Sequence, residues 1–326
     1  MKISSLSAFS CLNCKGHALH LKEATEQDEL PVDGEIICRQ CGSSYRIRAG
    51  VPRFIPDESY AGSFGFQWNK FRRTQLDSFT KMPLSANRLF QVTQWSQNLS
   101  GQRVLEAGSG AGRFSEVLLG TGATLFSFDL SNAVEANYQN NGKSPNFNLF
   151  QASIYDIPLE RASFDKVMCL GVLQHTPDPD RSFRELVTFV KPGGEIAIDV
   201  YAGNWLTLIS WKYILRPITT RMPQETLFRC VESAVKWLLK PAVWARKLGG
   251  RFGGKLFPIL QYSHWGLPPD LNRDWAILDT FDMYSPAHDH PKTIPDVRHW
   301  FESAGLHDIH VSYGPNGVIA RGRKPL

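Results

Sequence analysis

The sequence predicts an α/β fold: a doubly wound parallel sheet, preceded by a small cysteine-rich module and interrupted by a helical insertion. Three observations predict it. "RVLEAGSGAGRF", residues 103–114, is an apolar run that opens into a glycine-rich loop. "FDKVMCLGVLQHTPDPDRSFRELVTFVKPGGEIAIDVY", residues 164–201, reads as strand, loop, helix, Lys-Pro-Gly-Gly turn and strand. Near the start, Cys11-Leu12-Asn13-Cys14 and Cys38-Arg39-Gln40-Cys41 repeat one spacing.

The chain has 326 residues, of which 42% are hydrophobic and 21% charged, enough for a sizeable core and unlike a disordered chain. No apolar run is long enough to span a bilayer, and "MKISSLSAFSCLNCKGH" lacks a secretory h-region, so a cytoplasmic protein is expected. In a reducing compartment cysteines serve as metal ligands or buried thiols more often than as disulfides.

The two C-x-x-C pairs come first along the chain. Two residues between thiols let one tight turn present both sulfurs to a single ion, and two such knuckles complete a tetrahedral zinc site from Cys11, Cys14, Cys38 and Cys41. With four thiolates there is no open position for water, so the zinc is expected to be structural. The alternative is four unrelated free thiols, and His17 and His20 lie near enough to substitute as ligands. The words "IICRQCGSSYRIRAGVPRFIPD" resemble the small zinc-binding activator subunit of tRNA and rRNA methyltransferases over about residues 8–57. The resemblance implies a scaffold or activator module.

Val104-Leu105-Glu106-Ala107 reads as a buried parallel strand, and Gly108-Ser109-Gly110-Ala111-Gly112 as the turn into a helix starting near Arg113. A dinucleotide fingerprint needs a third glycine at position 113, where this chain has arginine. Glu106 before the loop opposes a pyrophosphate and suits a ligand with an ammonium group and a sulfonium charge, so S-adenosylmethionine fits better than NAD. A second strand, "ATLFSFDLS", ends in Asp129, 19 positions after Gly110, where an acid accepts from ribose hydroxyls in either cofactor class.

In order and spacing, "VLEAGSGAGRF", "FDLS", "FDKVMCLGVLQHTPDP" and "VKPGG" resemble the class I S-adenosylmethionine-dependent methyltransferase superfamily over residues 100–200, in its type 11 group, which includes ubiquinone and small-molecule methyltransferases. The resemblance implies a Rossmann-like seven-stranded sheet and S-adenosyl-L-methionine as donor. Carried over, Gly108, Ser109, Gly110 and Gly112 admit the methionine and ribose portions, Glu106 acts near the ammonium end, and Asp129 holds the ribose. Leu130 lies against the adenine, and Leu170 ends the fourth strand beside the donor. Ser153, with Ile154 beside it, occupies the position where many relatives have an acid for the adenine amino group, which weakens that contact here.

His175 in "GVLQHTPDP" follows the fourth strand and is the candidate general base; the other reading is that it only orients the loop or donor. Gln174 and Cys169 read as structural. "FDMYSPAHDHPKT" groups Asp282, Tyr284, His288, Asp289 and His290 before a helix led by Pro295. These residues fit an acceptor pocket or, through His-x-His, a metal. Upstream, Phe66, Gln67, Trp68 and Phe71 belong to a segment that folds over the donor or packs as an amphipathic helix.

Residues 201–260 carry ten Lys or Arg against two acids, with Trp205, Trp211, Trp237 and Trp244. "TLFRCVESAVKWLLKPAVWARKLGG" has helical spacing, a proline at Pro241 and a glycine stop, which predicts paired amphipathic helices broken at the proline. Basic residues interleaved with aromatics suit a small-molecule, saccharide or lipid-linked anionic acceptor, peripheral membrane contact through 201–260, or RNA; a helical cap with solvated charges is the plain alternative. The expected organisation is a zinc ribbon at 1–57, a segment over the donor at 58–98, a methyltransferase core at 99–200 and 291–326 ending in a β-hairpin, and a cap over the acceptor site at 201–290. The leading expectation is an O-methyltransferase of a small or lipid-associated metabolite. An RNA base methyltransferase and a non-catalytic donor-binding activator are the alternatives.

Overall fold

The computed structural model describes residues 3–27, 30–55, 70–203 and 210–326. Among these, eleven strands form one sheet in the order β1-β2-β3-β4-β7-β6-β5-β8-β9-β11-β10. The core strands are β5 (Arg103–Ala107), β6 (Thr124–Asp129), β7 (Phe147–Ala152), β8 (Phe164–Leu170) and β9 (Val190–Val200), all parallel. The hairpin β10 (His307–Gly314) and β11 (Gly317–Arg323) adds antiparallel to β9.

Seven strands were expected, and these seven are present, but the sheet does not stop at β7. The N-terminal strands β1 (Leu19–Gln27), β2 (Leu30–Cys38), β3 (Ser44–Arg48) and β4 (Val51–Phe54) continue it, β4 pairing parallel with β7 at Arg53↔Gln151 and Phe54↔Ala152. An open edge leaves backbone donors and acceptors unpaired, and β4 covers that edge. Side chains seal the junction. Arg53 donates to Gln151 at 2.6 Å and pairs with Glu135 at 3.0 Å. Phe9 lies 5.4 Å from Phe54 and 5.2 Å from Phe150, ring to ring.

Alternation along the strands sends side chains to two cores, as both-sided burial requires. On one face Leu105, Phe126 and Val167 pack with Phe183 and Phe301, from helices α5 (Pro179–Val187) and α9 (Ile294–Ser303). On the other face Val104, Leu125 and Met168 pack with Leu89, Phe114 and Val134, from α2 (Leu84–Thr93), α3 (Arg113–Gly120) and α4 (Ala133–Asn141). A short helix α1 (Asp77–Thr80) precedes α2, and Asp77 accepts from the Ser85 and Ala86 amides at its start.

The insertion has its own core. Leu227, Phe228, Val231 and Val235 of α7 (Gln224–Gly253) pack on Ile277 and Phe281 of α8 (Pro269–Tyr284), with α6 (Trp211–Thr219) alongside. The break expected at Pro241 does not occur: α7 runs through it, and its backbone leaves helical geometry at Gly250 instead. A helix-interior proline costs roughly 3 kcal/mol. Trp237, whose carbonyl loses its donor there, sits on the solvent face, where water can satisfy it, while Val235 and Ala242 hold the inner face in the core. The pairing partner of α7 is therefore α8 rather than a second half of itself. Among the described residues no helix is long and apolar enough to cross a membrane.

Candidate functional site

The glycine loop joins β5 to α3 with Gly108, Gly110 and Gly112 all at positive φ. Two of them are also sterically fixed. A Cβ on Gly108 would stand 2.3 Å from Val172, and one on Gly112 would stand 2.1 Å from Asn137. The Gly108 and Ser109 amides donate to the Phe128 carbonyl at 2.8 and 3.0 Å, and the Gly110 amide donates to Asp129 Oδ2 at 2.9 Å. The loop is thus tied to the end of the neighbouring strand β6.

Beyond the carboxyl ends of these strands lies a cavity of about 550 Å³, large enough for a nucleoside-type ligand. It brings together Gly108, Ser109, Gly110, Asp129, Leu130, Ile154, Leu170 and His175 of the residues expected there. Glu106, Gly112 and Ser153 are not in its lining. Glu106 points beneath the loop, where Ser115 and Ser127 hydroxyls donate to its Oε2 at 2.5 and 2.8 Å. Burial pushes its carboxyl up to about 7 against those two donors. Gly112 caps α3, and Ser153 Oγ accepts from the Tyr155 amide at 3.2 Å. Asp129 is raised by burial, a tendency opposed by the Ser131 hydroxyl and amide.

His175 sits in a single 3-10 turn, Leu173–His175, after β8 and is buried. Its Nδ1 lies 3.0 Å from the His288 carbonyl, which acts only as acceptor, so Nδ1 carries the proton and Nε2 the lone pair. Burial lowers its pKa, with Asp282 and the His288 carbonyl opposing. The His288-Asp289-His290 loop makes a second backbone contact to this turn, the His290 amide donating to the Gln174 carbonyl at 2.8 Å. Neither His288 nor His290 lines the cavity. Asp289 is engaged by Lys212 Nζ at 2.7 Å and by the Tyr213 hydroxyl at 2.6 Å. Burial alone would raise its carboxyl, but Lys212 overrides this and holds it low. Of the group quoted from that stretch, Asp282 lines the cavity, 3.3 Å from the Tyr201 hydroxyl, while Tyr284 turns away to donate to the Pro258 carbonyl.

The rest of the cavity wall was not read from sequence. α6 contributes Lys212 and Tyr213, and α8 contributes Asp279 beside the Asp282 already named. The spacing of the two acids in "ILDTFDMY", three apart and so on one helix face, was the available signal. Asp279 accepts from Gln75 at 2.9 Å, from Trp275 at 3.0 Å and from the Tyr262 hydroxyl; burial pushes it up to about 6. Arg113, where a dinucleotide site would have glycine, donates to Gln75 and Ser85 at 2.7 and 3.1 Å, and burial lowers it to about 10. Phe66, Gln67 and Trp68 lie outside the described residues, as does Trp205. Phe71 packs on Phe228 of the insertion at 6.1 Å, and Arg72, Gln75 and Leu76 line the cavity.

The four N-terminal cysteines converge. Their sulfurs all lie within 4.8 Å of one another, with Cys11 to Cys41 at 3.5 Å and Cys14 to Cys38 at 3.6 Å. Tetrahedral zinc with bonds of about 2.3 Å separates its sulfurs by about 3.8 Å, so the set fits a Cys₄ ion. The Cys11 sulfur also lies 3.2 Å from the Tyr45 hydroxyl and that of Cys41 3.2 Å from the Ser43 hydroxyl. This is the single cluster with metal-ligand geometry among the described residues; His288, Asp289 and His290 do not form one.

Residues 105–198 match the family described as "Methyltransferase domain". A ubiquinone biosynthesis O-methyltransferase of Thiobacillus denitrificans is 32% identical over 126 residues, covering 36% of this chain and 54% of that protein. The protein of that name from Coxiella burnetii is 29% identical over 122 residues, covering 36% and 52%. The chain thus spans about half the length of the curated relatives it matches. Among solved structures, a Haloferax volcanii complex between a methyltransferase activator and a methyltransferase aligns at 14% identity and a TM-score of 0.46, over 83% of this chain and 100% of that one. The stretch that matches the methyltransferase-domain family, 105–198, is the one that carries the glycine loop, Asp129 and His175.

Proposed function

We propose that this chain transfers a methyl group from S-adenosylmethionine to an oxygen of a small or lipid-associated metabolite. The observation that carries the reading is the meeting of the Gly108–Gly110 loop, Asp129 and a buried neutral His175 in one cavity. The domain match and the names of the curated relatives support it. When bound, S-adenosylmethionine supplies an electrophilic methyl group on a cationic sulfur. Asp129 accepts from the nucleoside end, which lies against the Cβ-free backbone of the glycine loop, and Leu130 and Ile154 face the base. His175 Nε2 takes the proton of an acceptor hydroxyl, and the imidazolium so formed is stabilised by the His288 carbonyl and by Asp289, 4.0 Å away. Apart from that proton transfer the protein's contribution is alignment, since an in-line displacement gains most from fixed geometry. Glu106 supports the loop from beneath through the Ser115 and Ser127 hydroxyls and does not itself touch the donor.

In the same reading residues 201–290 cap the acceptor side, supplying Lys212, Tyr213, Asp279 and Asp282, and the four cysteines hold a structural zinc that anchors β1–β4 to the sheet. The test is mass spectrometry of metabolite and lipid extracts incubated with the protein and isotope-labelled donor. A species gaining one labelled methyl on oxygen supports the proposal. Label confined to RNA would replace it with base methylation, and donor binding without any labelled product would replace it with an activator role.

A further inference from the structure

The insertion that roofs the cavity leaves a broad apolar surface uncovered. On α6, Trp211, Ile214 and Ile218 follow one another at helical spacing and are 40%, 54% and 65% exposed. On α7, Trp237, Trp244 and Leu248 lie seven and four residues apart and are 72%, 66% and 69% exposed. Phe252, just past the departure from helix at Gly250, is 87% exposed. Trp211 Nε1 donates to the carbonyl of the exposed Leu256 at 3.2 Å, which brings the start of α6 beside the chain just past the end of α7. Scattered surface hydrophobics need no explanation, but exposed tryptophan, isoleucine and leucine aligned along one face of each of two neighbouring helices mark a docking face.

The charge beside this patch is one-sided. Residues 233–260 hold six Lys or Arg and no acid. The two acids of the insertion's first half are engaged elsewhere, Glu225 with Arg229 and Glu232 with Lys70. With ten basic residues in 201–260, the remainder of the chain has 26 basic residues against 29 acidic ones, so the protein's net positive charge of +5 comes from this element. Lys236, Lys240, Lys247 and Lys255 are exposed around the apolar stripe.

We infer that the outward faces of α6 and α7 dock on an anionic lipid surface, with Trp237, Trp244, Leu248 and Phe252 in the headgroup region and the flanking lysines at the phosphates. Large apolar side chains enter the headgroup and acyl boundary while lysines reach outward from the same helix. A nucleic acid would gain phosphate contacts from the lysines, but Ile214, Ile218, Leu248 and Leu256 offer it neither stacking nor hydrogen bonds. A second copy of the chain would bring two acid-free cationic faces together. The inner side of α6 lines the cavity through Lys212 and Tyr213, so one helix, about 10 Å across, separates the lipid from the site.

The test is co-sedimentation of the whole chain with vesicles of phosphatidylcholine, with and without phosphatidylglycerol. Binding to the anionic vesicles that weakens with salt is expected. The pair Trp244→Ser and Leu248→Ser should lower partitioning by about a hundredfold, since each loses apolar burial worth roughly a factor of ten. Lys240→Gln and Lys247→Gln should each lower it about fivefold, on anionic vesicles alone. Thermal melting unchanged in all variants excludes a folding defect, and the vesicle result stands or falls whether or not the protein takes up S-adenosylhomocysteine. No sedimentation with either vesicle overturns the inference. So does undiminished binding by the Trp244/Leu248 variant, a dimer that this variant disperses, or RNA binding in place of vesicle binding.

Discussion

Asp129 accepts the Gly110 amide through Oδ2 at 2.9 Å and holds Ser131 through Oδ1, from its amide at 2.8 Å and its hydroxyl at 2.7 Å. One carboxylate therefore sets the glycine loop and ends β6 at the cavity wall. Removing it takes away one of the loop's ties to β6 and the proposed acceptor for ribose hydroxyls. With hydrogen bonds to a charged group worth about 1.5–3 kcal/mol each, Asp129→Ala should weaken S-adenosylhomocysteine binding by at least about a hundredfold in calorimetry. Equal affinity in the variant would contradict the donor site.

His175 has the opposite profile. Its Nδ1 proton is committed to the His288 carbonyl, and burial lowers its pKa, so the lone pair on Nε2 is available at neutral pH. His175→Asn should leave donor affinity intact and lower kcat by about 10²–10⁴-fold. Because the shift is downward, the base stays neutral as pH falls to the ordinary histidine value of 6.5 and is lost only below it. The acid limb of kcat/KM should therefore lie under 6.5 and disappear in the variant; an unchanged limb would move the proton transfer to another group.

Glu106 gives a stability signature that needs no substrate. Its carboxyl titrates near 7 in the fold against an ordinary value of 4.5, because burial outweighs the Ser115 and Ser127 donors. An acid raised on folding stabilises fully below its unfolded pKa, and that contribution is lost as pH rises through the folded one, here between about 4.5 and about 7. A shift of this size corresponds to about 3 kcal/mol. Denaturant unfolding of the ligand-free protein should show wild type losing about that much relative to Glu106→Gln between about pH 5 and about pH 8. Parallel curves would mean that the carboxylate is ionised throughout.

The elements that were legible in the sequence are those whose chemistry is local. The loop 108–112 needs positive φ at fixed offsets, the cysteine pairs need one spacing, and the hydrophobic runs of β5, β6 and β8 need burial on both sides; each requirement is written in consecutive residues. The misreadings came where distant packing decides. Glu106 was aimed at the donor, but the Ser115 and Ser127 hydroxyls, reached only once α3 and β6 are folded, pull it beneath the loop. Pro241 reads as a breaker, yet α7, packed on α8, stays helical through it. Arg88 and Tyr262 carried no local signal at all, because they reach the cavity from segments far apart in the chain.

The cysteine set predicts a metal-dependent sheet rather than a separable tail. Phe9 and Phe54 stack into the core ring cluster, and β4 pairs with β7, so loosening the knuckles opens the edge of the main sheet. Purified protein should carry about one zinc per chain by elemental analysis, and Cys38→Ser or strong chelation should remove it and lower the melting temperature of the whole domain by several degrees. Loss of zinc with an unchanged global transition would show that the N-terminal strands are independent of the core.

Arg88 on α2 makes a two-pronged pair with Asp199 on β9, with Nε to Oδ2 at 3.0 Å and Nη2 to Oδ1 at 3.0 Å, and the carboxylate has no exposed surface. The pair fastens the segment before the core strands to β9, whose next residue, Tyr201, is on the cavity wall. Breaking a buried pair from one side strands the other charge, so Arg88→Met should cost roughly 3–5 kcal/mol in denaturant unfolding. Replacing both, with Arg88→Met and Asp199→Leu, removes the stranded charge and should recover most of that loss, because an apolar pair of similar volume avoids the desolvation that the ions incur. If the single variants instead add to give the double, the two residues act independently and the pair contributes nothing to holding α2 against the sheet.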